Sequence, residues 1–325
     1  MMRIALDVMG SDNGSSVFVD AITKYLSEFT DTEIFVFGNE EELRALKNHP
    51  NVTIIETKEV ISMADGLLSL RRKTDASLNR MLDYLAANKV EGGLTAGSTA
   101  GLLTCSLLKI KLLKGIERPC YLGTIPGRHN SYFHLLDMGA NSDCSPEHLE
   151  QFAILGKCYA QAVFHTENPR IALLNIGSEP NKGDKLHKEA FELLHKNKVL
   201  NFIGNIEGRD IFSGRADVVV TDGFSGNMTL KAMEGTAFFA FGELKDIVKS
   251  SLFSMLAGLL LKKRLYNMKE NLDYSKHGGA VLIGFEQPII KAHGSSNSYA
   301  IYNAMICLRD IISNDTLKAI KKEIL

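Results

Sequence analysis

Residues 217–227 read Asp-Val-Val-Val-Thr-Asp-Gly-Phe-Ser-Gly-Asn. An apolar run of strand length passes into small and polar residues, and a helical pattern begins at about Asn227. The same order recurs at residues 9–14, Met-Gly-Ser-Asp-Asn-Gly, and at 96–101, Ala-Gly-Ser-Thr-Ala-Gly. It returns at 137–143, Asp-Met-Gly-Ala-Asn-Ser-Asp, at 175–179, Asn-Ile-Gly-Ser-Glu, and at 292–297, Ala-His-Gly-Ser-Ser-Asn. Working outward from these turns, strands are expected at Arg3–Val8, Ile34–Phe37, Val52–Ile55, Gly92–Thr95, Arg170–Asn175, Asn201–Gly204, Ala280–Ile283 and Ile289–Lys291. Amphipathic helices are expected between them, at Val17–Phe29, Glu41–Lys47, Ala76–Asn88, Ser98–Lys109, Pro146–Phe164, Lys182–His195 and Ser296–Ile312. Alternation of this kind predicts a three-layer α/β/α fold around a largely parallel sheet. Tyr121–Ile125 and Phe133–Asp137 read as a strand pair, which makes the sheet mixed. With no low-complexity linker and no fixed repeat, residues 1–325 read as one domain.

The bulk composition narrows the function. Hydrophobic residues make up 45% and charged residues 23%, as in a globular protein with a real core. A net charge of -1 argues against a generally basic nucleic-acid binder. The five cysteines are scattered without metal-ligand spacing and read as reduced thiols in a cytosol. The first residues already have a strand pattern, so no signal peptide is expected. The apolar stretch Leu252–Leu261 has about half the length of a membrane span. No metal and no cofactor are expected.

In a parallel sheet the six loops would gather along the carboxyl edge of the strands, where ligands bind. Glycine lets the backbone approach a ligand, and free N–H groups at a helix start favour an anion. Turn chemistry alone accounts for any one such loop, but six in one chain point to an anion site. None is a P-loop or a dinucleotide fingerprint, and no GxSxG or HExxH occurs. Lys182, Lys185 and Lys188 follow the fourth loop at spacings that roughly share one helical face, either solvated or facing an anion. His293 has the chemistry of an acid, base or oxyanion donor; the alternative is a structural histidine. From Lys245 to Arg264, Leu252, Met255, Leu256, Leu259 and Leu260 form an apolar stripe bracketed by Lys245, Lys249, Lys262 and Lys263. That pattern suits a helix on an anionic membrane, a core helix or a dimer interface.

Taken together, these motifs closely resemble the bacterial phosphate acyltransferases, the family of acyl-[acyl carrier protein]:phosphate acyltransferases. The matching segments run from residues 4–10 to 290–297 and include 71–73, 96–99, 136–141, 167–177, Lys182-Gly183, 202–210, 217–227 and His277-Gly-Gly-Ala. Four positions depart from the family pattern: Ser11, Asn13 and Ser15 stand where glycine, histidine and proline are usual, and Ser98 where an asparagine is usual.

The resemblance implies a fold related to phosphotransacetylases and to isocitrate and isopropylmalate dehydrogenases. It implies that long-chain acyl-acyl carrier protein and inorganic phosphate give acyl phosphate, which a membrane acyltransferase then uses for phosphatidic acid synthesis. A cytoplasmic homodimer associated peripherally with the membrane is also implied. On this reading Lys182, Lys185, His293 and Asp222 are the catalytic candidates. Gly10, Ser98, Asn141, Gly177, Gly226, Asn227, Ser295 and Asn297 are the candidates for binding phosphate and substrate. Leu252, Leu256, Leu259, Leu260, Lys262 and Lys263 would touch the membrane, on a helical segment protruding at about 245–270. Acidic carrier protein would dock on Arg71, Arg72 and Lys73 or on Lys109, Lys111 and Lys114. A short-chain enzyme using acyl-CoA and a non-catalytic membrane scaffold are the competing readings.

Overall fold

The computed structural model describes residues 1–62, 64–128, 131–271 and 278–324. His277, part of the resemblance, lies outside the described residues. The strands are β1 (Met2–Asp7), β2 (Thr32–Gly38), β3 (Val52–Glu56), β4 (Gly92–Thr95), β5 (Cys120–Pro126), β6 (Tyr132–Leu136), β7 (Arg170–Asn175), β8 (Asn201–Glu207), β9 (Val218–Val220), β10 (Ala280–Ile283) and β11 (Ile289–Lys291). The helices are α1 (Ser16–Glu28), α2 (Leu67–Arg72), α3 (Ser77–Ala86), α4 (Thr99–Lys109), α5 (Pro146–Phe164), α6 (Lys185–Lys196), α7 (Gly223–Lys249), α8 (Leu252–Asn271), α9 (Ser298–Ser313) and α10 (Thr316–Ile324).

Local chemistry explains where several of them begin. Pro146 occupies the first turn of α5, and Ser145 and His148 satisfy each other's backbone N–H groups in a capping box. In α1, Phe18, Ala21, Ile22, Tyr25 and Leu26 recur at helical spacing and are all buried. Helix α6 starts three residues later than its sequence pattern indicates. Gly183 takes a left-handed φ of 91°, and Asp184 then caps the helix by accepting the His187 N–H. Lys182 is therefore in the loop and shares no helical face with Lys185. The segment Glu41–Lys47 contains only a short 3-10 turn at Arg44–Leu46. The basic tail, in contrast, forms α10 and buries Ile320.

All eleven strands form one sheet in the order β3-β2-β1-β4-β11-β10-β5-β6-β9-β7-β8. The pairings of β11 with β10, β10 with β5, and β5 with β6 are antiparallel, and the others are parallel. Three reversals turn the group β6-β9-β7-β8 opposite to the group β3-β2-β1-β4-β11. The six glycine-rich loops therefore do not share one carboxyl edge, as a uniformly parallel sheet would require. Loops 9–14, 96–101 and 292–297 lie at one edge, and loops 137–143, 175–179 and 222–227 at the other.

Register brings the two edges together. Asp7 pairs with Thr95, Thr95 with Lys291, Lys291 with Ala280, and Ala280 with Gly123 of β5. From the other half, Val220 pairs with Leu136, and Leu136 with Leu122 of β5. The two carboxyl edges thus point in opposite directions but reach β5 at adjacent residues.

One face of the sheet is covered continuously by a large core that includes residues of α1, α5, α6, α9 and α10. The opposite face carries two separate cores. One joins α3 and α4 to Ala5, Phe37 and Tyr121, and the other joins Ile125, Phe133 and Val219 to Leu230 and Met233 of α7. Between them lies a gap floored by β5. Helix α7 is about 40 Å long at the usual helical rise, and only its residues Gly223 and Gly226 are buried. Helix α8 packs on α7. Among the described residues, no helix is long and apolar enough to cross a membrane.

Candidate active site

The gap between the two cores holds a cavity of about 290 Å³. Tyr121, Gly123 and Ile125 of β5 line it, with Met138 and Leu230 completing an apolar wall. Thr99 at the start of α4, Lys291 and His293 at the end of β11, and Asn227 on α7 supply its polar side. The Tyr121 hydroxyl donates to the Thr99 carbonyl at 2.9 Å, fixing the ring against the start of α4.

At the first edge, three loops are stitched together by their backbones. Gly10 packs so closely on Gly97 that a Cβ on it would lie 2.3 Å from the Gly97 Cα. Asp12 N–H donates to the Gly294 carbonyl. Asn13 donates its amide to the carbonyls of Ser295 and Ser296, both at 3.0 Å. Asn13 thus joins the first loop to the last. Ser98 caps α4 by accepting the Gly101 N–H, and Asn297 caps α9 by accepting the Ala300 N–H. His293 is exposed, and its Nδ1 lies 2.8 Å from the Ser295 hydroxyl.

At the second edge, the buried Asp137 carboxylate organises the loop that follows it. It accepts from the backbone N–H groups of Tyr121, Gly139, Ala140 and Asn141, and from the Asn141 side-chain amide. Burial nevertheless pushes its carboxyl pKa above the ordinary value, against the pull of these hydrogen bonds. The Asn141 carbonyl in turn accepts the Gly223 N–H at the start of α7. Asp222 caps α7 by accepting the Ser225 N–H. Gly226 faces the Asp137 carbonyl, leaving no space for a Cβ. Asn141, Asp222 and Gly226 thus anchor α7, which presents Asn227 to the cavity.

The candidate residues therefore divide into groups. His293 and Asn227 line the cavity, and Ser295 holds the His293 ring. Ser98, Asn141, Asp222 and Asn297 form caps and loop hydrogen bonds around it, with Gly10 and Gly226 at close backbone contacts. Gly177 packs against the Lys182 side chain in the loop after β7, and the cavity lining includes neither residue. Lys182 is exposed, and Lys185 has a side chain 87% exposed with Glu189 at 3.8 Å. Thr99, Lys231, Glu234 and Lys291 also line the cavity, although the sequence singled out none of them. Thr99 was inside a quoted loop, and a threonine at the first helical position was its signal.

The fold is similar to that of solved phosphotransacylases. A branched-chain phosphotransacylase from Enterococcus faecalis superposes with a TM-score of 0.61 over 96% of this chain and 99% of its own, at 16% identity. A phosphotransacetylase from Streptococcus pyogenes gives 0.60 over 98% and 94%, at 19% identity. Residues 2–318 match the model of the fatty acid synthesis protein family. The phosphate acyltransferase of Bacillus pumilus is 43% identical over 99% of this chain and 98% of its own. That of Staphylococcus aureus is 42% identical over 94% and 93%. The chain belongs to the fatty acid synthesis protein family, which includes these bacterial phosphate acyltransferases.

Proposed function

We propose that this chain is a phosphate acyltransferase that moves a long-chain acyl group from acyl-acyl carrier protein to inorganic phosphate, giving acyl phosphate for phosphatidic acid synthesis. The observation that carries this reading is the two-sided cavity: hydrogen-bonding groups and a helix start on one side, an aliphatic and aromatic wall on the other. The names of the full-length relatives support the acyl transfer to phosphate.

A phosphate oxygen attacks the thioester carbonyl carbon, the C–O bond forms, and the C–S bond breaks as the thiolate leaves. Phosphate is already charged, and a thiol with a pKa of about 8.5 is a tolerable leaving group, so no covalent enzyme intermediate is required. Asn227 and the N–H groups at the start of α4 supply donors for the phosphate or the developing oxyanion. His293 orients substrate or returns a proton to the sulfur. Lys182 and Lys185 stand outside the cavity and act as charge partners if the loop after β7 reaches the bound substrate.

The other parts of the proposal rest on surface features. Lys73 is tied to Asp65, and Lys109 to Asp83, leaving Arg71, Arg72, Lys111 and Lys114 exposed for acidic carrier protein. Helix α2 packs on α4, so both basic groups belong to one side of the molecule. The apolar surface of α8 is broader than one stripe: Leu252 and Leu260 within it are 81% and 86% exposed, and Phe253 and Leu261 outside it are 82% and 47% exposed. Such a surface, with Lys262 and Lys263 exposed beside it, suits peripheral membrane binding. A homodimer is part of the same proposal. Competition between palmitoyl-carrier protein and acetyl-CoA as acyl donors tests the substrate class. Preference for the carrier-protein thioester is expected, and preference for acetyl-CoA would assign the chain to short-chain chemistry.

A further inference from the structure

Lys291 lies at the end of β11 between two interior strands, and only 9% of it is exposed. Its neighbour Ile290 enters the continuous core on the far face, so Lys291 points to the cleft face, where it lines the cavity. Its ammonium donates to the carbonyls of Ala96 and Ala292. Among the described residues no carboxylate lies within ion-pair distance of it. An ammonium has three donors, so one N–H remains for a ligand.

Asp7 and Thr95 occupy the same level of the sheet on the neighbouring strands, and the Thr95 hydroxyl donates to Asp7 at 2.7 Å. Asp7 is buried, and burial raises its carboxyl pKa against the pull of its hydrogen bonds and of Lys291. Thr99, the first residue of α4, lines the same cavity near the Ala96 carbonyl that Lys291 holds, and a helix start favours an anion. A nine-tenths buried cation and a helix start thus converge on one cavity.

We propose that Lys291 is a catalytic residue whose ammonium binds the phosphate nucleophile in this cavity. This inference rests on the acyl-transfer reading of the site, but phosphate binding tests it without any acyl donor. Burial depresses the Lys291 pKa to about 8, partly opposed by Asp7 and Asp12. The positive charge is therefore present below about pH 8 and lost above it, while inorganic phosphate is mainly the dianion at that pH and above. The other groups that face or line the site are Asp7 and Asp12 from β1 and its loop, His293 beside Lys291, and Tyr121, Lys231 and Glu234 across the cavity.

Calorimetric titration of the full chain with inorganic phosphate, in parallel with turnover, gives the test. Binding by the wild type is expected to weaken as pH rises through about 8, and Lys291→Arg should remove that dependence. Lys291→Met should lower kcat/KM for phosphate about 100-fold, while its thermal melt stays cooperative. If Lys291→Met fails to fold, Lys291→Gln replaces it in the same comparison. Phosphate affinity in a folded Lys291→Met or Lys291→Gln protein equal to that of the wild type would overturn the proposal. Phosphate binding that depends on Lys291, without acyl transfer from any donor, would uphold it and reject the acyl-transfer reading instead.

Discussion

At the residue scale, the site depends on contacts too close for a side chain. Gly226 meets the Asp137 carbonyl, and Asp137 itself holds the loop through Asn141. Gly226→Ala should therefore displace the start of α7 and lower stability by about 3 kcal/mol. A chemical denaturation midpoint equal to that of the wild type would show that the helix start accommodates a Cβ. Lys182→Ala has a different expected outcome. The side chain is exposed, so the variant should fold normally yet lose acyl phosphate formation. Near-normal turnover would show that the loop after β7 does not reach the bound substrate. Sequence made the glycines, caps and His293 visible because turns and helix starts leave local patterns. It did not single out Lys291. A lysine ending an apolar strand reads as a solvated terminus, and only the placement of β11 between β4 and β10 buries it.

At the element scale, the boundary set by the cap at Ser145-Pro146 was legible, whereas α7 starts at Gly223 behind its cap Asp222, four residues before the start expected at about Asn227. The start of α6 was misread because charge spacing from Lys182 onward mimics a helix, while Gly183 and Asp184 impose a turn first. The stripe on α8 was visible as leucine spacing, but its extent was not. Gly258 packs against Val248 of α7, and Phe253 and Leu261 are exposed beyond the expected stripe. Membrane binding through this hairpin predicts that Leu256→Glu reduces flotation with anionic liposomes about 10-fold while the melting temperature is unchanged. Unchanged flotation would return α8 to the role of a protein-contact helix.

At the scale of the whole molecule, alternation of strands and helices was enough to read a mixed α/β sheet. The opposed direction of its halves was not legible, because it depends on β10 pairing with β5, more than 150 residues earlier in the chain. Distant pairings leave no local periodicity. That reversal has the larger functional consequence. It separates six similar loops into two groups and brings the loops after β11 and β6 to the two sides of the cavity on β5. The central claim is that this junction transfers an acyl group to phosphate. Release of free thiol from long-chain acyl-acyl carrier protein, followed with and without inorganic phosphate, tests it most directly. The account predicts release that saturates with phosphate and matches acyl phosphate formed one for one. Absence of phosphate-dependent release at every acyl chain length would contradict it.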